Sequence, residues 1–299
     1  MSFLASVGLA IVVAAPGQSQ AANLTSLVSF CTLTNCADGL GPGGGLIADA
    51  DGNLFGTTGG GGAHGGGTVF EIAKTARGYA STPKILVRFC ALANCADGQF
   101  PVGDLLADAD GNLFGATDVG GAHGGGTVFK IAKTARGYGS TPTILVSFCA
   151  LANCADGDVP LAGVIADADG NLFGTTDGGG AHNGGTVFEI AKTARGYAST
   201  PTILVSFCAL TNWDDGLTPD GSLIADADGN LFGATANGGR TAKVRCSRSP
   251  AAASSRPPHG SPGRLGRQTV TARASRRSPR SMAGSTMPPQ RSATPVSRF

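Results

Sequence analysis

The chain is poor in the residues that fill large aromatic or helical cores, with one Trp, three Tyr and three Met in 299 residues against 48 Gly. That balance argues against packed long helices and suits many tight turns between short strands. No apolar run reaches the length of a spanning helix. Phe3 to Ala15 has the length of a signal-peptide core and is followed by polar Gln18-Ser-Gln20, so residues 1–22 are read as a signal peptide cut after Ala21 or Ala22. No Lys or Arg precedes that run, which a start codon further upstream would explain; an apolar first strand is the alternative. The glycine-rich stretches are followed by strand patterns and never by Gly-Lys-Ser/Thr, which excludes a phosphate-cradling loop. The absence of a Gly-x-Ser-x-Gly elbow argues against Ser-His-Asp hydrolysis by that route.

Acidic residues are missing altogether from 240–299, which carry 13 Lys/Arg. Residues 1–239 carry 9 Lys/Arg against all 20 Asp/Glu, a net charge of −11. The overall +2 therefore hides an acidic body joined to a basic tail. Such a body repels phosphate and the tail interleaves no aromatics for stacking, so nucleic acid is excluded as a partner.

What is present is one unit, copied. Asp49-Ala-Asp-Gly-Asn-Leu-Phe-Gly56 returns at Asp108 to Gly115, Asp167 to Gly174 and Asp226 to Gly233, and Cys31, Cys90, Cys149 and Cys208 keep the same spacing of 59. Within a unit, Gly45 to Asp49 and Leu54 to Thr58 form a hairpin around Ala-Asp-Gly-Asn. The glycine-rich loop Gly59 to Gly67 leads to a third strand, Thr68 to Lys74, and after a turn Ile85 to Phe89 is the fourth. A lone four-stranded sheet of this kind leaves an apolar face in water, so neighbouring units must cover one another. The fold expected over residues 23–239 is therefore all-β, a β-propeller-like array of four-stranded repeats of 59 residues whose last repeat is incomplete.

Leu-Val-Ser-Phe-Cys, Gly-Leu-Ile-Ala-Asp, Asp-Gly-Asn-Leu-Phe-Gly-Thr-Thr and Gly-Thr-Val-Phe-Glu-Ile, in that order over roughly residues 27–239, resemble the GloVer tandem repeat of exported bacterial proteins. The resemblance implies a secreted or surface-anchored repeat array, commonly with a C-terminal sorting anchor that this sequence does not show. Asp-Gly-Asn-Leu turns are similar to those of many propellers, lactonase-like and lyase-like enzymes among them.

Three sets of residues are candidates for chemistry. Asp49, Asp51 and Asn53, with Asp108, Asp110, Asn112 and Asp167, Asp169, Asn171, have the spacing that opens an oxygen-ligand calcium loop. Position 12 of that loop is Gly60 and strands flank it, so turn chemistry is the preferred reading and calcium its rival; no other cofactor is expected. His64, His123 and His182 recur in the glycine-rich loops without a Cys or carboxylate partner in the same loop, and are read as exposed loop residues. Cys31/Cys36, Cys90/Cys95 and Cys149/Cys154 recur as Cys-x4-Cys, read as disulfides of an exported protein, while Trp213 takes the partner position of Cys208.

The functional reading is a secreted or surface binding or scaffold module that works through inter-strand loops, with a glycan or cell-surface polymer as the ligand class and no defined catalysis. No membrane span remains after signal cleavage. The rival is a propeller enzyme of lyase or lactonase type with Asp and His on channel-end loops, against which stands the sameness of the units; Asp118, Asp158 and Asp220 are exceptions to it. From residue 240 the composition is that of a disordered tail. Ala242 to Pro250 is what a third strand Gly-Lys-Gly-Thr-Val-Phe-Glu-Ile-Ala yields when its codons are read from the second base, so the tail is taken as frameshifted repeat. An unfinished last unit leaves an open sheet edge and a route to self-association.

Overall fold

The structure is a computed structural model that describes residues 8–11, for which the backbone path alone is given, and residues 25–239. The rest of the expected signal peptide, the basic tail and its frameshift reading lie outside the described residues. Counting from Cys31, unit one is 31–89, unit two 90–148 and unit three 149–207; unit four is described over 208–239.

Each unit is an antiparallel meander whose sheet order follows chain order. Unit two shows it most fully, with strands Gln99–Ala107, Leu113–Val119, Thr127–Ile131 and Thr143–Ser147. The all-β, four-stranded repeat expected from the motifs is what forms. Unit four shows the first two strands, in the pieces Leu217–Pro219 with Thr235–Asn237 and Ile224–Ala225 with Leu231–Phe232.

Several boundaries differ from the pattern reading. The first strand starts earlier, at Leu40 in unit one, where Leu40–Pro42 and Ile47–Ala48 both pair with Leu54–Gly60. Its Gly-Pro-Gly-Gly-Gly sequence carries no apolar alternation, so nothing marks it as strand before its partner is in place. The third strand stops at Ile72, and Lys74–Thr75 turns away to pair with Gly78–Tyr79 in a small hairpin of its own. Both faces of the fourth strand are buried near Leu86 and Val87, because a bulge between Val69 and Phe70 breaks the alternation.

The cores lie between units. Phe55, Val69, Val87 and Phe89 of unit one pack with Leu105, Leu113, Phe129 and Ile131 of unit two. The same contact recurs one unit on, where Phe114, Val128 and Val146 meet Phe148, Leu172, Phe188 and Ile190. A third joins Phe173 and Val187 to Phe207, Leu223 and Leu231. The last phenylalanine of each fourth stretch belongs to the next sheet: the Phe89 and Phe129 rings are 5.0 Å apart, as are those of Phe148 and Phe188. Burying each such ring contributes on the order of 2–3 kcal/mol, which one unit alone could not obtain.

Two glycine positions of the repeat serve this packing. Gly115 is paired with Phe129 across the second and third strands, and a Cβ there would stand 2.6 Å from the ring's Cζ. Its repeat-mates Gly56 and Gly174 seat Phe70 and Phe188 in the same way. Gly103 has φ +63°, and a Cβ on it would lie 2.0 Å from the Gly163 nitrogen, so the first strand of unit two touches, backbone to backbone, the stretch that leads into Ile165–Ala166 of unit three.

At the N-terminal side, Thr25–Ser29 stands in the place of a fourth strand and pairs with Gly8–Ile11. Gly8 opposes Ser29 as Thr68 opposes Arg88, so this segment takes the position of a third strand. Val28 and Phe30 bury against Phe70 and Ile72 of unit one.

Gly115→Ala is expected to lower unfolding stability by about 1–3 kcal/mol through overpacking against Phe129. Urea titration checks it, and a substitution without effect would show that the ring has room to move.

Candidate functional site

Two loop ends bracket the sheets, and each is built from repeated local chemistry. At one end is the Asp-x-Asp-x-Asn turn. The Asp108 carboxylate accepts N–H groups from Asp110 (3.1 Å) and Asn112 (2.8 Å), and the Asn112 side-chain amide donates to its second oxygen at 2.7 Å. Asp49 with Asp51 and Asn53, and Asp167 with Asp169 and Asn171, repeat these contacts. Burial pushes the Asp49 carboxyl up, but hydrogen bonds from Asn53 and Asp51, with the charge of Lys133, outweigh it and leave its pKa below the usual value. The Asn side-chain oxygen then accepts the backbone N–H of Lys74, Lys133 or Lys192, tying the turn to the small hairpin of its own unit. All nine residues of the calcium reading are thus placed in turns, and the leading carboxylates face N–H donors.

The small hairpin, Ala-Lys-Thr-Ala-Arg-Gly-Tyr, is closed by its Thr. Thr193 Oγ1 donates to the Gly196 carbonyl at 3.1 Å and accepts the Arg195 N–H at 3.2 Å. This aims the Tyr back at the preceding unit. Tyr138 meets Phe55 edge-on at 5.3 Å and Tyr197 meets Phe114 at 5.6 Å. Burial first, then the carboxylates Asp49, Glu71 and Asp108, push the Tyr138 hydroxyl up to about 12; burial and Asp108 raise that of Tyr197. Both hydroxyls are therefore donors at any physiological pH. Between units two and three these parts border a groove of about 600 Å³, with Asp108, Asp110, Lys130, Lys192, Arg195 and Tyr197 among its walls. Neither the groove nor the tyrosines' reach across the junction was legible in the sequence, although the 59-residue spacing of the three Tyr was a signal.

The opposite end carries the Cys loops and the glycine-rich loops. Disulfides join Cys31 to Cys36, Cys90 to Cys95 and Cys149 to Cys154, and Cys208 is a half-buried thiol. The loop also has a support that the motif reading missed. Asp97, 2% exposed, accepts the N–H groups of Ala91 and Leu92 at 3.0 and 3.1 Å. Asp38, Asp156 and Asp215 do the same in the other units, each seven residues after the first Cys. Unit four keeps the loop shape with Trp213 in place of the second Cys, since Cys208, Asn212 and Trp213 take the positive φ of their counterparts. The second Cys is thus not required for the shape, whereas the Asp is present in all four units. It also holds a Leu at the tip in the open: Leu33, Leu92, Leu151 and Leu210 are 52–59% exposed. His64, His123 and His182 are exposed on the adjoining loops.

The units are not identical at this end. Asp118, Asp158 and Asp220, singled out as exceptions, each lie within electrostatic reach of Asp177. Burial and the charges of Asp158 and Asp177 raise the pKa of Asp118, and burial with Asp220 and Asp158 raises that of Asp177. Asp158 also lies by Cys149 and Cys154, the ligand atoms of all three within 4.8 Å of one another, but sulfurs bonded to each other offer no thiolate.

These observations define a class, an all-β tandem-repeat protein in which successive sheets share their cores and the loops repeat in register. Residues 17–150 match the family model of the Gloeobacter/Verrucomicrobia repeat, in agreement with the GloVer resemblance of the chain's motifs. Among solved structures, an endo-arabinase from Bacteroides thetaiotaomicron is similar at 14% identity and a TM-score of 0.35, over 70% of this chain and 74% of that one, a likeness too slight to bear on activity. No curated protein matches.

Two outcomes follow from this geometry. Asp156→Ala leaves two loop N–H groups without an acceptor and should cost about 1–3 kcal/mol, at least as much as opening the Cys149–Cys154 bridge by double Ser substitution; thermal melts of the two variants decide the order. For the acidic cluster, folded pKa values lie above unfolded ones, so stability is present below the unfolded value and is lost as pH rises through the folded values. Asp118→Asn should therefore raise the melting temperature at pH 7, with the gain closing near pH ~4. A gain of equal size at both pH values would remove the electrostatic explanation.

Proposed function

We propose that the protein is an exported recognition module, its sheets arranged radially as in a β-propeller, that binds a polysaccharide of the cell surface or its surroundings through the grooves between units. The groove between units two and three carries this reading. It combines a fixed tyrosine donor with acidic and basic side chains, the mixture that grips a polyhydroxylated chain, and it is large enough for about one to two sugar rings. Repetition adds a second advantage, since neighbouring weak sites on one chain gain affinity by acting together. Three disulfides suit an oxidising compartment, and among the described residues no helix is long and apolar enough to cross a membrane.

The carboxylate cluster favours a second reading, a propeller enzyme. Asp118, Asp158, Asp177 and Asp220 come from three units, and raised carboxyl pKa values suit a proton donor.

One experiment addresses both. The purified secreted protein is screened against a panel of cell-wall and environmental polysaccharides, with product analysis of every binder. Retention of intact polymer, weakened severalfold or more by Tyr197→Ala, is the expected result. Cleavage abolished by Asp118→Asn would favour the enzyme, and a folded protein that retains no polysaccharide would defeat the binding reading.

A further inference from the structure

Unit two departs from its neighbours at one position of the third strand. Lys130 stands where unit one has Glu71 and unit three has Glu189, and its cross-strand partner is Thr143 where unit one has Lys84. In unit one the two positions neutralise each other, with Lys84 Nζ 3.1 Å from the Glu71 carboxylate. In unit two a cation faces a hydroxyl. Lys130 points over the Phe114 ring, 5.6 Å from its centre, on the wall of the groove.

The next hairpin adds Lys192 and Arg195, both exposed on the opposite wall. Neither these two nor Lys130 makes an ion pair among the described residues, whereas Lys133, the counterpart of Lys192 at the first junction, lies 4.0 Å from Asp49. The groove's acids do not offset them equally. Asp108 already accepts the three N–H groups of its turn, which leaves Asp110 as the carboxylate open to a ligand. The groove is thus a concave site with three cations that make no ion pair among the described residues, in a protein body whose charge is strongly negative.

We propose that the groove between units two and three selects an anionic sugar unit, a uronate or a sugar phosphate, whose charged group is held by Lys130, Lys192 and Arg195 while Tyr197, Ser199 and Asp110 bond its hydroxyls. This rests on the polysaccharide reading and narrows it to one junction. Arg and Lys can pair with either anion, so carboxylate and phosphate are separate arms of the test. The acidic body repels an anionic polymer elsewhere on residues 25–239, and any attraction by the basic residues 240–299 would survive Lys130→Glu unchanged.

Calorimetric titration of the full chain uses an oligogalacturonate, its methyl ester and a phosphomannan oligosaccharide. Wild type should bind at least one acidic probe about tenfold or more tighter than the neutral ester, the size of one charge-assisted contact. Lys130→Glu should remove that preference; Glu is the native residue at this position in units one and three, so the fold is expected to survive, and circular dichroism checks it. Lys192→Ala with Arg195→Ala should act likewise, while Lys74→Ala with Arg77→Ala, in the equivalent hairpin of unit one, should leave the preference intact. Equal affinity for acid and ester, both lost in Tyr197→Ala, overturns the charge selection and leaves the polysaccharide reading standing. Equal losses in the unit-one and unit-three hairpin variants would mean diffuse attraction and also overturn it. Binding to none of the three probes, by a protein that retains a neutral polysaccharide in the screen, refutes the selection alone; failure of the screen as well removes both.

Discussion

The structure depends on the burial of one unit's apolar residues by the next. A five-residue strand such as Thr127–Ile131 is buried on both faces, yet its own sheet supplies cover for neither. Phe129 needs Phe89 from the preceding unit, and Phe114 needs Phe188 and Ile190 from the following one. The gain resides in junctions, so sequence identity between units follows from the need to present the same face at every contact. Glycine at the centre of the second strand belongs to the same constraint, since the ring of its cross-strand partner fills the space a side chain would take.

That constraint separates the two loop ends from the core. The Asp-x-Asp-x-Asn turns and the Cys loops are held by carboxylates that accept backbone N–H groups, a local device that needs no apolar burial. Such loops can change residues without disturbing a junction. Lys130, near the end of a third strand, and the aspartates at 118, 158, 177 and 220 are charge changes that the repeated scaffold also carries. Functional difference between units is thus concentrated in a few charges on a repeated scaffold.

Loop shape and loop crosslink also come apart. Unit four has no second Cys, and its loop keeps the same left-handed residues because Asp215 accepts the same N–H groups as Asp97. The disulfides are an added restraint on a loop the aspartate already folds. They attract attention in the sequence because Cys is rare, whereas the aspartate that supports the loop is one of 18 in the acidic body.

The sequence by itself determined the unit, its length, the hairpin at Asp-Gly-Asn and the pairing of adjacent cysteines. All of these depend on residues close in the chain, where turn chemistry and alternation act directly. Only the tertiary structure decided that Leu40–Pro42 is strand, that Asn112 ties its turn to Lys133, that Tyr197 reaches back to Phe114, and that Asp118, Asp158 and Asp220 lie within electrostatic reach of Asp177. Each joins groups about 20 to 100 residues apart or across a junction, and the energy of such a contact is set by distance in space, which local pattern does not encode.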